Sequence, residues 1–86
     1  MPTRADIIAI IAAFVQTLAP DVDPASIGDD TDLMTVIDSY SFLDLLLHLE
    51  ERVNTALDLS EQDPILFVRV GPLVDAVLMK LTGQSA

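Results

Sequence analysis

Apolar residues recur at helical spacing in three stretches of the chain. Ile7, Ile8, Ile10, Ile11, Phe14, Val15 and Leu18 fall at i, i+3, i+4 and i+7, which predicts a first helix over 4–18. Thr3 is a candidate N-cap, Asp6 adds an acid to the first turn, and Pro20 marks the exit. Ala9, Ala13 and Gln16 form its weakly polar outer face. Residues 39–53 predict a second helix that is apolar nearly all round, through Tyr40, Phe42, Leu43, Leu45, Leu46, Leu47, Leu49 and Val53. Such a helix is either central or has a second apolar face for a partner. Val70, Leu73, Val74, Val77, Leu78 and Leu81 predict a last helix over 70–82, with Pro72 in its first turn and Gly83 at its end. Pro64 suits the first position of a short helix over 64–68.

The connections differ in kind. Residues 19–37 form a long loop punctuated by Pro20, Pro24 and Gly28, with Ile27, Leu33, Met34, Val36 and Ile37 as its anchors to the core. Residues 54–63 are a second polar connection, and 84–86 a frayed tail. No segment has a convincing strand period. The expected fold is all-α: a single domain over 1–86, built as a small three-to-four-helix bundle with a long loop between helices 1 and 2.

Composition narrows the chemistry. There is no cysteine and one histidine, so thiolate metal sites and disulfides are excluded and no metal site is expected. Asp21, Asp23, Asp29 and Asp32 occupy positions 1, 3, 9 and 12 of a twelve-residue calcium loop. The pattern fails at Ala25, at Ser26 in place of the glycine, and at the short Asp32. The longest apolar run, residues 7–15, is too short to cross a bilayer, and Asp6 spoils a signal peptide. A cytoplasmic chain without membrane insertion is expected.

The net charge is −10, and residues 21–63 carry twelve acids against Arg52. That field repels nucleic acid and draws basic protein surfaces. A solvated surface would look the same.

The most informative residues lie where the acidic loop meets the apolar helix, at Val36-Ile37-Asp38-Ser39-Tyr40-Ser41. Asp38 is placed to cap the second helix, which sets Ser39 in its first turn. There the unpaired N–H groups and the helix dipole favour an attached phosphate. His48 lies about two and a half turns further on, in a polar stripe with Asp44 and Glu51, and reads as a surface residue rather than a base. A hydrolase built on Ser39 and His48 also lacks an oxyanion loop, so no catalytic residue is expected.

Asp38-Ser39, followed by Leu43-Asp44-Leu45-Leu46-Leu47-His48-Leu49-Glu50-Glu51, resembles the acyl and peptidyl carrier protein family. Helix order, the long first loop, the acidic middle and the length extend the resemblance over the chain. It implies that Ser39 carries a 4′-phosphopantetheine arm taken from coenzyme A, whose thiol holds an acyl or aminoacyl thioester. It implies that Asp38, the motif aspartate, aids transferase recognition. The second helix would then be the recognition helix, with Tyr40, Asp44, Leu47 and Glu51 as partner contacts. The implied partners are a phosphopantetheinyl transferase, an acyl- or aminoacyl-loading ligase, and a downstream transferase or synthase with a basic docking surface. The carrier itself is expected to be a monomer.

Two departures bear on the cargo. Val36 stands where many carriers have glycine, and Tyr40-Ser41 replaces the leucine and acid usual in fatty-acid carriers. Ile37-Asp38-Ser39-Tyr40 is more similar to discrete carriers of amino acids, such as the D-alanyl carrier of cell-wall modification, or to stand-alone carriers of specialised biosynthesis. The alternatives are a fatty-acid synthesis carrier and an acidic helical interaction module without a prosthetic group.

Overall fold

The computed structural model describes residues 2–57 and 67–83. Three α-helices organise them: α1 (Arg4–Leu18), α2 (Ser39–Val53) and α3 (Val70–Leu81). Two single 3-10 turns, Pro24–Ser26 and Leu33–Thr35, interrupt the long connection. Among the described residues the only β pairing is an isolated antiparallel bridge between Asp32 and Arg69. The all-helical expectation therefore holds for the described residues. The short helix expected over 64–68 lies mostly outside them, as does the tail at 84–86.

Each helix starts for a local reason. Thr3 and Asp6 make a reciprocal capping box: Thr3 Oγ1 accepts from the Asp6 amide at 3.2 Å, and Asp6 Oδ2 accepts from the Thr3 amide at 2.9 Å. Asp38 caps α2. At the far end of α2, Asn54 takes the left-handed conformation at φ 54°, which asparagine tolerates better than most residues.

α3 has no side-chain cap. Its first amides donate to the long loop instead. Val70 N–H reaches the Thr31 carbonyl at 3.0 Å, and Gly71 N–H reaches the Asp29 carbonyl at 2.9 Å. Pro72 has no N–H to satisfy. Leu33 N–H donates to the Val68 carbonyl at 2.8 Å, and Arg69 Nη1 donates to the Asp30 carbonyl at 3.0 Å. Residues 29–33 are thereby strapped along 68–71. Arg4 adds a clasp from α1, pairing with Asp29 at 3.1 Å and with Asp75 of α3.

The core is aliphatic. Ile7, Ile11 and Val15 of α1, Leu45 and Leu49 of α2, and Val70, Leu73, Val74 and Val77 of α3 are fully buried, and Leu33 joins them from the loop. Each such side chain contributes about 1.5–3 kcal/mol relative to exposure. Ile27, Leu33 and Ile37 anchor the loop as expected, and Val36 is half-buried. Met34 is not an anchor: it is 40% exposed. The 3-10 turn explains this, because its three-residue period turns Leu33 inward and its neighbour out. Leu18, in the last turn of α1, is also exposed rather than part of the buried stripe.

Candidate functional site

Three local features set the start of α2. Ile37 is buried, and its amide donates to the Leu33 carbonyl at 2.9 Å, which fixes the chain just before the helix. Asp38 has extended backbone angles, and its Oδ1 accepts the Ser41 amide at 2.8 Å. Phe42 is buried in the core and closes the first turn, its amide donating to the Asp38 carbonyl at 2.9 Å. Ser39 sits between these fixed points, exposed, at the first position of α2. Among the described residues no side chain hydrogen-bonds its hydroxyl.

Hydrogen bonding from the Ser41 amide, and next from the Ser41 hydroxyl, holds the Asp38 carboxyl below the usual aspartate range, with a smaller contribution from the Tyr40 amide; desolvation opposes the shift. Asp38 is therefore ionised at neutral pH and occupied as a cap.

α2 buries one side only. At about 100° per residue, Phe42, Leu45 and Leu49 group on the buried side, Tyr40, Leu43 and Leu47 group on the opposite one, and Ser39 stands at the margin between them, next to Leu43. Tyr40 is 82% exposed, Leu43 52% and Leu47 59%. Asp44 and Glu51 are exposed along the same side. The four residues singled out for partner contact thus share one solvent face, and Ser39 stands at its margin. Leu43 belongs to that face too. Sequence reading passed over it, although its i+4 spacing from Ser39 was the available signal. Met34, on the turn leading into α2, is a further exposed apolar side chain.

His48 is not a simple surface residue. It is half-buried, with its ring centroid 5.0 Å from that of Phe14, inclined at 38°. It sits nine residues beyond Ser39 on the same helix, a rise of about 13 Å. That separation removes it from any direct proton transfer with the Ser39 hydroxyl.

Several acids of the middle segment have structural duties. Asp23 and Asp32 each cap a 3-10 turn, accepting the Ala25 and Met34 amides at 2.9 Å. Asp29 pairs with Arg4. Glu50 Oε2 accepts the Leu57 amide at 2.8 Å, tying the end of α2 to the following chain. These roles divide Asp23, Asp29 and Asp32 among separate backbone and side-chain partners. Among the described residues no group of three or more histidine, cysteine or acidic side chains could hold a metal ion. No helix there is long and apolar enough to cross a membrane. An open groove of about 490 Å³ runs between α1 and the first 3-10 turn, lined by Ile8, Ala9, Ala13, Gln16, Pro24 and Ala25 among others, with no residue from α2.

No family model, curated protein or solved structure matches the chain.

Proposed function

We propose that the chain is a discrete carrier protein. Ser39 takes a 4′-phosphopantetheine arm, whose thiol holds an acyl or aminoacyl group as a thioester for delivery to successive enzymes. The observation that carries this reading is the placement of Ser39. It is an exposed hydroxyl, without a side-chain partner among the described residues, at the first position of a helix and beside a bare apolar stripe. A hydroxyl with no base within reach among the described residues is suited to being modified by another protein.

The chemistry is the transferase's. The Ser39 Oγ–phosphorus bond forms as the phosphoanhydride of coenzyme A breaks. The hydroxyl proton passes to a base on the transferase, and the adenosine bisphosphate half leaves. The resulting phosphodiester lies at the positive end of the α2 dipole, which favours it. The thiol comes with the cofactor, so a protein lacking cysteine can still carry a thioester.

Tyr40, Leu43 and Leu47, with Asp44 and Glu51 beside them, would receive the transferase, the loading ligase and the downstream transferase or synthase in turn. Brief, electrostatically steered contacts suit a protein that must release each partner. Tethering raises the effective concentration of the cargo for each enzyme. The sequence after the serine favours an aminoacyl or specialised-biosynthesis cargo over fatty-acid synthesis. We place the carrier in the cytoplasm, because its donor, coenzyme A, is intracellular.

Incubation with coenzyme A and a broad-range phosphopantetheinyl transferase tests this by intact mass. One phosphopantetheine should be added to the wild-type chain and none to Ser39→Ala. A wild-type chain that several transferases leave unmodified, while a control carrier is modified, removes the assignment. The acidic interaction module would then be the better account of the exposed α2 face.

A further inference from the structure

We propose that the groove between α1 and the 3-10 turn Pro24–Ser26 is a second docking surface, which takes a basic amphipathic helix from a partner protein. It involves neither Ser39 nor the exposed side of α2, so it stands apart from the carrier reading.

The shape of the groove suits a helix. Ala5, Ala9, Ala12 and Gln16 line one wall, and Pro24 and Ala25 the other, around about 490 Å³ of space. From Ala5 to Gln16 it runs about 16 Å along α1, or about three helical turns. Alanine puts no long side chain in the way, so a second helix can approach the α1 backbone closely. An extended peptide would gain less. Beyond the first turn the α1 amides are spent within the helix, and among the described residues the only β pairing is the isolated Asp32–Arg69 bridge. No strand edge is on offer for an added strand.

Position separates this surface from the α2 face. At about 100° per residue, Ala5, Ala9, Ala12 and Gln16 all lie within about 40° of the direction on α1 opposite Phe14. Phe14 is the residue that meets His48 of α2. The groove and α2 therefore lie on opposite sides of α1. One partner can hold the groove while another engages α2.

Charge selects the occupant. No lysine or arginine occurs between Arg4 and Arg52. Arg4, at the Ala5 end, is committed to Asp29 and Asp75. Exposed Asp6 adjoins Ala5, and exposed Asp21 and Asp23 lead into Pro24. An apolar groove with an acidic rim complements a helix whose apolar stripe is flanked by lysine or arginine. The same field turns away other occupants. A second copy brings its own charge of −10 and the same base-free stretch, and nucleic acid and anionic membrane are repelled.

The test uses a helical peptide of about twenty residues, with leucine and alanine along one face and lysine on both flanks. A control peptide has glutamate in place of lysine. Binding to the full, unmodified chain is followed by amide chemical shifts and by calorimetry. The lysine peptide should shift amides over 5–16 and at Ala25, and leave those of Tyr40, Leu43 and Leu47 in place. Ala9→Gln, at an exposed helical position, keeps helix propensity while filling the groove, and should weaken binding by about fivefold or more. Asp23→Asn keeps the turn's cap but removes a rim charge, and should weaken binding by about twofold. Leu47→Ala should bind as wild type does. The proposal is overturned if the shifts fall on α2 or spread over all the acids, if Ala9→Gln binds as wild type, or if the glutamate peptide binds equally well. Failure of the lysine peptide to bind at millimolar concentration overturns it too. So does a dimer of the chain alone, seen by sedimentation and dissolved by Ala9→Gln, since the occupant is then a second copy. None of these outcomes depends on whether a transferase modifies Ser39.

Discussion

Replacing Gly71 with alanine sets two known effects against each other. Glycine at the second position of α3 has ordinary helical angles, so alanine there gains helix propensity, at most about 1 kcal/mol. The new methyl would sit 3.1 Å from the Asp29 carbonyl oxygen, 3.4 Å from its Cβ and 3.7 Å from an Arg4 guanidinium nitrogen. The oxygen is not free to move away. It accepts the Gly71 amide, the Asp29 carboxylate is held by Arg4, and Thr31 two residues on accepts the Val70 amide. Overpacking against a fixed neighbour costs about 1–3 kcal/mol. With the fixed neighbour placing the cost near the middle of that range, about 2 kcal/mol, the balance is a loss of about 1 kcal/mol. A domain of this size should show it as a fall of roughly 4–8 °C in Tm per kcal/mol. Urea unfolding followed by helical circular dichroism measures it directly, and the midpoint should fall with m unchanged. Removing the clasp with Arg4→Gln should reduce the penalty in a double-mutant cycle, because Asp29 can then yield. A midpoint for Gly71→Ala equal to or above wild type would refute the claim that the strap is rigid.

The two sides of α2 should respond in opposite ways. Leu45→Ala, at a fully buried position, should cost about 2–5 kcal/mol in urea unfolding. Leu47→Ala, on the exposed side, should change stability by no more than about 0.5 kcal/mol, while weakening transferase docking as an increase in KM. Acid should destabilise the helix starts. Asp6 and Asp38 both have carboxyls held below the usual range, chiefly by hydrogen bonds from the Thr3 and Ser41 amides respectively. A lowered folded value means that their contribution is fully present above the unfolded value of about 4 and is lost as pH falls through the folded one. Urea midpoints should therefore decline below about pH 4, and Asp38→Asn should flatten part of that decline.

Three of the helix boundaries were legible because each had a chemical marker in the sequence. Thr3 with Asp6, Asp38, and Pro20 placed the starts and stops to within a residue. The α3 start had only Pro72 in its first turn as a marker and no capping residue, since Arg69 does not cap and the amides of Val70 and Gly71 depend on carbonyls some forty residues earlier. That strap is a backbone arrangement, and side-chain patterns do not encode it. Met34 was misread because an apolar residue in a loop looks like an anchor until the 3-10 turn sets its direction. The two-sidedness of α2 was visible in its surplus of leucines. Which leucines face outward depends on how α1 and α3 cover it. His48 shows the same limit: its polar spacing suggested the surface, and Phe14, distant in sequence, covers one side of its ring.

The strap also has a consequence for the order of folding. The segment leading to Ser39 is held by residues 68–71, and Arg4 meets Asp75 across 71 positions of chain. Local signals such as the Thr3 box and the Asp38 cap can form as soon as their helices are synthesised. The loop between them cannot be fixed until α3 has begun. Closing contacts over such separations costs chain entropy before it returns any bonds. A nascent chain that ends before Val68 thus has the serine and its cap but lacks the ties that hold the approach to them. The part of the molecule that fixes the approach to Ser39 is made only after the serine and its cap.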